Sequence, residues 1–294
     1  MLTQKYFVNR QNALNEALDK YFITDEKNEH YLNKAIRYSL LLEGERISPI
    51  LLFAVYEMFK GRKSVKSLEK IMPVAVALEM VHIATMVHDD LPSLNNYRIR
   101  KGKPSNHEKY DPATAILVGD ALITKAFEVL TELQNKEHAL QCIHILAKAV
   151  STSGLIGGQT VDLESNNKTV KVNILKYIYL KKNGALLQAA TDMACTICGV
   201  EENIMITLGN YALNLGLSYQ IIDDILDDIG ALDIIDRDVK ERSSGKSNYS
   251  TLLGVEIAKK NAEKLLSDSY KMVQNFDNNA ILVELINIIK ERLP

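Results

Sequence analysis

Residues that interrupt or staple a fold are scarce in this chain. Its 294 residues include only 14 Gly and 6 Pro, which argues against an all-β protein, where these residues punctuate many short strands. Three cysteines, Cys142, Cys195 and Cys198, cannot build a disulfide framework. Cys195-Thr-Ile-Cys198 has redox or zinc spacing, but it lies in an apolar helical run with no second half-site, so it reads as small helix-packing residues. Neither sign of charge dominates: the formal net charge is −2, which gives no reason to expect a nucleic-acid or anionic-membrane partner. No run approaches the roughly 18 unbroken apolar residues that span a bilayer. Polar residues scattered through the first 22 positions do not read as a signal peptide. The expected compartment is the cytosol.

What is present is apolar residue content, 47% of the chain, laid out with helical period. Ile71, Val74, Ala75, Leu78, Val81, His82 and Thr85 form one stripe, and Ala258, Ala262, Leu265 and Met272 another. There is no alternation of period two and no repeat of 20–50 residues, which excludes a solenoid. Loops are expected after Asp90, where Pro92, Gly102, Pro104 and Pro112 cluster, over Glu164–Lys171, and over the charged stretch Gly230–Ser250. The reading is all-α: one domain over 1–294, of about ten helices around a central cavity.

Two aspartate groups carry the chemistry. Asp89 and Asp90 end an apolar helix, with Pro92 forcing the chain out of it. Acids are unfavourable at that negative end of the helix dipole, which argues for a cation. Asp223, Asp224 and Asp227 fall at i, i+1 and i+4 of a second apolar helix, so Asp223 and Asp227 share a face. A solvated acidic face is the alternative, but Tyr219, Ile221, Ile222, Ile225 and Leu226 leave it little polar surface. Carboxylates clustered without a His/Cys cage suit Mg²⁺ bridging to a phosphorylated substrate. The basic run Arg98, Arg100, Lys101 and Lys103 follows the first pair and suits a metal-bound diphosphate. Arg46, Lys181, Lys182 and Lys246 are further basic candidates. His82, on an apolar stripe, reads by itself as a satisfied core histidine.

These residues resemble the trans-isoprenyl diphosphate synthases, the farnesyl and geranylgeranyl diphosphate synthase family. The likeness is colinear from RYSLLLEGERISP through ALEMVHIATMVHDDLPS, RKGKPSNH, AILVGDALITKAFEVL, GGQTVDLES, KKNGALL and YQIIDDILD to GKSNYSTLLG. It implies the isoprenoid synthase fold, a homodimer, and two facing aspartate motifs that hold three Mg²⁺ on an allylic diphosphate. Asp89, Asp90, Asp223, Asp224 and Asp227 would then bind metal. Arg100, Lys182, Gln220 and Lys246 would hold the allylic diphosphate, with Arg46, His82 and Lys101 completing the substrate-binding set. Asp89, Asp90, Asp223, Asp224, Lys182 and Lys246 would be the catalytic groups.

The chain also departs from the family pattern. The family's GlyGlyLysArgxArgPro is here Glu43-Gly44-Glu45-Arg46-Ile47-Ser48-Pro49. Glu45 and Ser48 replace the lysine and arginine that grip isopentenyl diphosphate. Each charge-assisted phosphate contact is worth roughly 1.5–3 kcal/mol, so losing two weakens that site by roughly two to four orders of magnitude. Lys101 stands where an arginine fork is usual, Asn95 replaces the last aspartate of the first motif, Asn183 replaces a threonine, and Asp233 aligns with a second lysine. Ala84, five residues before Asp89, implies a deeper pocket and a longer product. Three functions are expected in order: a divergent elongating synthase; an enzyme that ionises the allylic diphosphate without isopentenyl diphosphate, such as a terpene synthase or irregular coupling enzyme; and a non-catalytic subunit.

Overall fold

The computed structural model describes residues 2–22, 30–42, 44–61, 65–166, 168–230 and 247–294. Twelve helices of eight or more residues carry this part of the chain, against one two-stranded hairpin. The all-α expectation holds. Contacts cluster into two compact units, one within 1–53 and 64–143, the other within 54–63, 144–234 and 239–294.

In the first unit α1 (Leu2–Lys20), α2 (Tyr31–Leu40) and the start of α3 (Ile47–Lys60) precede α4 (Met72–Asp89). Every residue of α4 from Val74 to Val81 is buried, then Ile83, Ala84 and Val87. A helix apolar on all sides belongs inside, and α4 packs chiefly on α6 (Pro112–Leu130). The latter starts where its sequence says it should: Asp111 accepts from Thr114 N at 2.8 Å and Pro112 takes the first helical position. Between them lie β1 (Ile99–Arg100), β2 (Lys103–Pro104) and the single turn α5 (Asn106–Lys109). The strands pair Ile99 with Pro104 and Arg100 with Lys103. Lys101 and Gly102 join them with φ of 52° and 71°, as a two-residue turn of type I′ requires. Strands of two residues are too short to show a period in sequence.

In the second unit α7 (Lys136–Val150, begun in the first unit) is followed by α8 (Leu155–Glu164), α9 (Val172–Tyr179), a π-helical turn (Leu180–Gly184) and α10 (Ala185–Cys198). Then come α11 (Glu202–Asp228), α12 (Tyr249–Leu253), α13 (Val255–Val273) and α14 (Ala280–Glu291). The 27-residue α11 is the axis, in contact with α10, α13, α12, α14 and the π turn. Close approach is licensed by glycine: a Cβ on Gly216 would lie 3.2 Å from Gly184 Cα, and one on Gly158 only 2.5 Å from Lys181 Cβ. The loop expected to reach Ser250 gives way at Tyr249, because Asn248 caps α12. Its side chain accepts from Thr251 N at 2.7 Å while Thr251 Oγ1 accepts from Asn248 N at 3.0 Å. Residues 136–164 are apolar enough to cross a membrane by composition and length. A turn at Ser151–Gly154 splits them into helices of 15 and 10 residues, each short of the roughly 20 a span needs.

Candidate active site

In the first unit the acid pair sits where α4 stops, and the loop beyond folds back on its backbone. Asn95 donates to Asp89 O through both its main-chain N–H, at 3.3 Å, and its Nδ2, at 3.1 Å. A carboxylate could not make the second bond, so Asn95 serves here as a staple of the loop. Tyr97 N donates to Asp90 O at 3.0 Å. Asp90 is buried, and Arg100 binds its carboxylate through Nη2 and through Nε at 3.1 and 3.2 Å. The guanidinium lies 5.3 Å from the Tyr97 ring centroid. Burial opposes the charge on Arg100, but the hydrogen bonds and field of Asp90 win and raise its pKa.

The residues of the basic run have different partners. Arg98 turns to Glu108 at 3.0 Å, and Lys103 lines an open surface cleft with Lys34, Arg37, Tyr38, Leu41 and Leu42. Arg100 faces the acids. Lys101, at the turn, reaches Gly44, where an added Cβ would be 3.0 Å from its Nζ. Burial lowers the pKa of Lys101, Arg46 and Arg100 lower it further, and Glu79 and Glu45 oppose the shift.

Arg46 does not do what the sequence suggested. It is buried, Nη1 donates to Glu79 Oε1 at 2.6 Å, and Nη2 donates to the carbonyls of Leu40 and Leu42 at 2.7 and 3.1 Å. Its guanidinium is engaged in fixing the 44–46 loop, and it does so with its own φ at 55°, a left-handed conformation costing of order 1 kcal/mol. His82 also differs from the core histidine expected: it is open to solvent. Glu79, Lys101, Arg46 and Arg100 are the charged groups around it. Burial lowers its pKa, the cations Lys101, Arg46 and Arg100 lower it further, and Glu79 partly offsets them. Ala84 is wholly enclosed, so it lines no open pocket and gives no support to a longer product.

In the second unit the C-terminal half of α11 presents Gln220, Asp223, Asp224 and Asp227. Asp223 is ion-paired with Nη2 of Arg292, whose guanidinium stands 4.2 Å from the Tyr219 ring centroid. Asp227, one turn on, is half-buried. Asp224 is turned inward, contrary to its place among the expected metal ligands. Its Oδ2 accepts from Tyr179 Oη at 2.5 Å and from Tyr249 N at 2.7 Å, and its Oδ1 accepts from Gln220 Nε2 at 3.2 Å. Burial drives its pKa up to about 6 against those three donors, with Asp223 adding to the rise. Lys182, on the π turn, pairs with Asp162 at 2.8 Å, and Asn183 Nδ2 donates to Gln220 Oε1 at 2.7 Å. Lys246 and Asp233 lie outside the described residues.

The polyprenyl synthetase profile matches residues 29–289. The chain belongs to the polyprenyl synthetase family. This polyprenyl synthetase is 37% identical to the geranylgeranyl diphosphate synthase of Cyanophora paradoxa, over 98% of its own length and 95% of the relative's. Among solved structures it is similar to an FPP/GFPP synthase of Zymomonas mobilis, with a TM-score of 0.87 and 28% identity over 98% of both chains. It is similar also to a Helicobacter pylori geranyltransferase complexed with magnesium and isoprenyl diphosphate, with a TM-score of 0.81 and 26% identity over 99% of this chain and 97% of that one. The synthetase is thus an enzyme of the prenyltransferase family with the isoprenoid synthase fold.

Among the described residues of the synthetase, no three acids, histidines or cysteines converge into a ready-made metal cage. Sequence reasoning missed Arg292, Glu79 and Tyr179. Arg292 is 69 positions from its partner, and no spacing rule joins them. Asp162 lay in a motif already singled out, GGQTVDLES, and could have been named. The thiols of Cys195 and Cys198 are pushed up to about 12 and about 11 by burial, consistent with packing residues.

Proposed function

We propose that this polyprenyl synthetase ionises an allylic prenyl diphosphate with the help of Mg²⁺ and couples the allylic carbon to isopentenyl diphosphate. The carbon–oxygen bond of the allylic ester breaks with its electron pair leaving on pyrophosphate. The double bond of isopentenyl diphosphate supplies the electrons of the new carbon–carbon bond, and loss of a proton restores an alkene. The products are a longer allylic diphosphate, pyrophosphate and a proton.

The observation that carries this reading is the pairing of an acid with a side-chain cation in each unit, Asp90 with Arg100 and Asp223 with Arg292. Each pair is an oxygen site already holding a positive charge. Asp89 and Asp90 in one motif, and Asp223 and Asp227 in the other, would hold Mg²⁺, for which we carry the three ions the family resemblance implies. When bound, the metal withdraws negative charge from the departing pyrophosphate. Arg100, released from Asp90, and Lys182, released from Asp162, are then the phosphate donors. For the co-substrate diphosphate, His82 and Lys101 are the groups at hand, with Glu45 beside Lys101 weakening the grip. The names of the relatives and the magnesium-bound neighbour support elongation over the other readings. We carry the homodimer as well, for which exposed Ile116 and Leu117 of α6 offer an apolar face.

The test is to incubate the protein and Mg²⁺ with dimethylallyl, geranyl, farnesyl or geranylgeranyl diphosphate, with and without isopentenyl diphosphate. Products are identified by mass spectrometry while pyrophosphate is followed. Longer linear diphosphates are expected, and only with isopentenyl diphosphate. Hydrocarbons or alcohols formed without it would overturn elongation and leave ionisation standing, and absence of pyrophosphate release from every substrate would overturn both.

A further inference from the structure

We propose that Tyr179 is a positioning residue for this chemistry: through Asp224 it fixes the metal-facing acids Asp223 and Asp227 relative to the phosphate-facing Lys182. The proposal rests on the function proposed above and divides the second aspartate motif into two ligands and one anchor.

Asp224 is the anchor by geometry. Both of its carboxylate oxygens are engaged, Oδ2 twice and Oδ1 once, by donors from three places in the chain. The residue is 6% exposed. A Mg²⁺ ion keeps several waters, and a carboxylate so enclosed has no room for a hydrated ion. Asp223 lies about 100° and Asp227 about 60° round the helix from it, both to the same side, and both are only partly covered.

Tyr179 is the anchor's mooring. It closes α9, it is buried, and its hydroxyl donates to Asp224 Oδ2 at 2.5 Å, the short distance of a hydrogen bond to a charged acceptor. Three residues later the π turn carries Lys182, itself pinned to Asp162. A π turn inserts extra backbone into a helix and re-aims the side chains beyond it, so Lys182 needs an external fix on each side. Tyr179 supplies the one before it. The one after it is the relay from Asn183 Nδ2 to Gln220 Oε1 and from Gln220 Nε2 to Asp224 Oδ1. Both tethers end on the same carboxylate. The near contact of Gly216 with Gly184 brings α11 within their reach. Distance between a phosphate donor and the metal ligands is thus set by one tyrosine hydroxyl and one amide relay.

Tyr179→Phe and Asp224→Asn test this in the full chain. Binding of Mn²⁺ in the presence of inorganic pyrophosphate is read from the electron paramagnetic resonance of the free ion, beside steady-state kinetics and thermal melts. Tyr179→Phe is expected to weaken Mn²⁺ binding by about 10–100-fold, the range for a group supporting metal ligands. The KM for the allylic diphosphate should rise with it and that for isopentenyl diphosphate should stay put. Asp224→Asn keeps an acceptor for Tyr179 and should bind as many ions as the wild type, whereas Asp223→Asn should bind fewer. A lower melting temperature for Tyr179→Phe with Mn²⁺ affinity unchanged in the folded protein would reduce the tyrosine to a packing role and overturn the proposal. Loss of an ion from Asp224→Asn would overturn it too, by making Asp224 a ligand. Wild-type protein that neither binds Mn²⁺ with pyrophosphate nor releases pyrophosphate would instead overturn the underlying function, and this proposal with it.

Discussion

At the scale of single residues, the loop 44–46 shows how a motif can keep its shape while changing its charge. Arg46 holds the loop through Glu79 and two carbonyls, so the positions on either side can vary without collapse. Breaking a buried pair by removing one partner costs about 3–5 kcal/mol, which explains why the arginine stays while its neighbours are Glu45 and Ser48. The double substitution Glu45→Lys with Ser48→Arg should lower the KM for isopentenyl diphosphate by at least about tenfold, each restored contact being worth roughly 1.5–3 kcal/mol. The KM for the allylic substrate is the control and should not move. An unchanged KM for isopentenyl diphosphate would mean that its diphosphate is not held by positions 45 and 48. The acids and most of the bases were legible in the sequence because charge interrupting an apolar helical run is conspicuous. Which base serves which acid was not, since Arg98 and Lys103 read no differently from Arg100 until the hairpin sends them to other surfaces.

At the scale of elements, the π turn between α9 and α10 is the sensitive joint. Its backbone rests on α8 at Gly158, where an added Cβ would be 2.5 Å from Lys181 Cβ and 3.0 Å from Lys182 N. Since the contacts are to a Cβ and to backbone, no side-chain rotation relieves them. Gly158→Ala should push the turn and Lys182 with it, destabilising the protein by about 1–3 kcal/mol as overpacking does and raising the KM for the allylic diphosphate. Urea unfolding with steady-state kinetics checks both, and a stability loss with an unmoved KM would detach the turn from the substrate. The helices themselves were legible, α4 and α11 from their long apolar patterns and α6 from Asp111 and Pro112. The π turn was not: it has no compositional mark, because the extra residue per turn is imposed by packing against α8 and α11.

At the scale of the whole molecule, a partly buried acid away from the site contributes to the pH response of stability. Asp192 on α10 is half-buried, and burial lifts its pKa to about 6 despite the pull of Lys148. A raised carboxylate favours the folded state while protonated. The contribution is complete below about pH 4, where the unfolded chain is protonated too, and is lost as the pH rises through about 6. Asp192→Asn should leave the melting temperature near pH 4 unchanged and raise it at pH 8 by a few degrees, for a gain of about 2 kcal/mol. Equal effects at the two pH values would show that the charge is not the cause.

The sequence by itself determined that this chain is helical, where its two groups of aspartates fall, and which family it joins. Those properties come from local pattern: a period of 3.6, a helix end beside a proline, and motifs whose order needs no folding to be seen. Only the tertiary structure decided that Arg46 is occupied by Glu79, that His82 is exposed, that Asp223 meets Arg292, and that Asp224 faces inward to Tyr179 while Asp223 does not. These are pairings between distant parts of the chain. Each depends on how two elements are oriented and on which member of a run of like residues faces inward, and helix packing and a two-residue turn fix that only when the chain is folded.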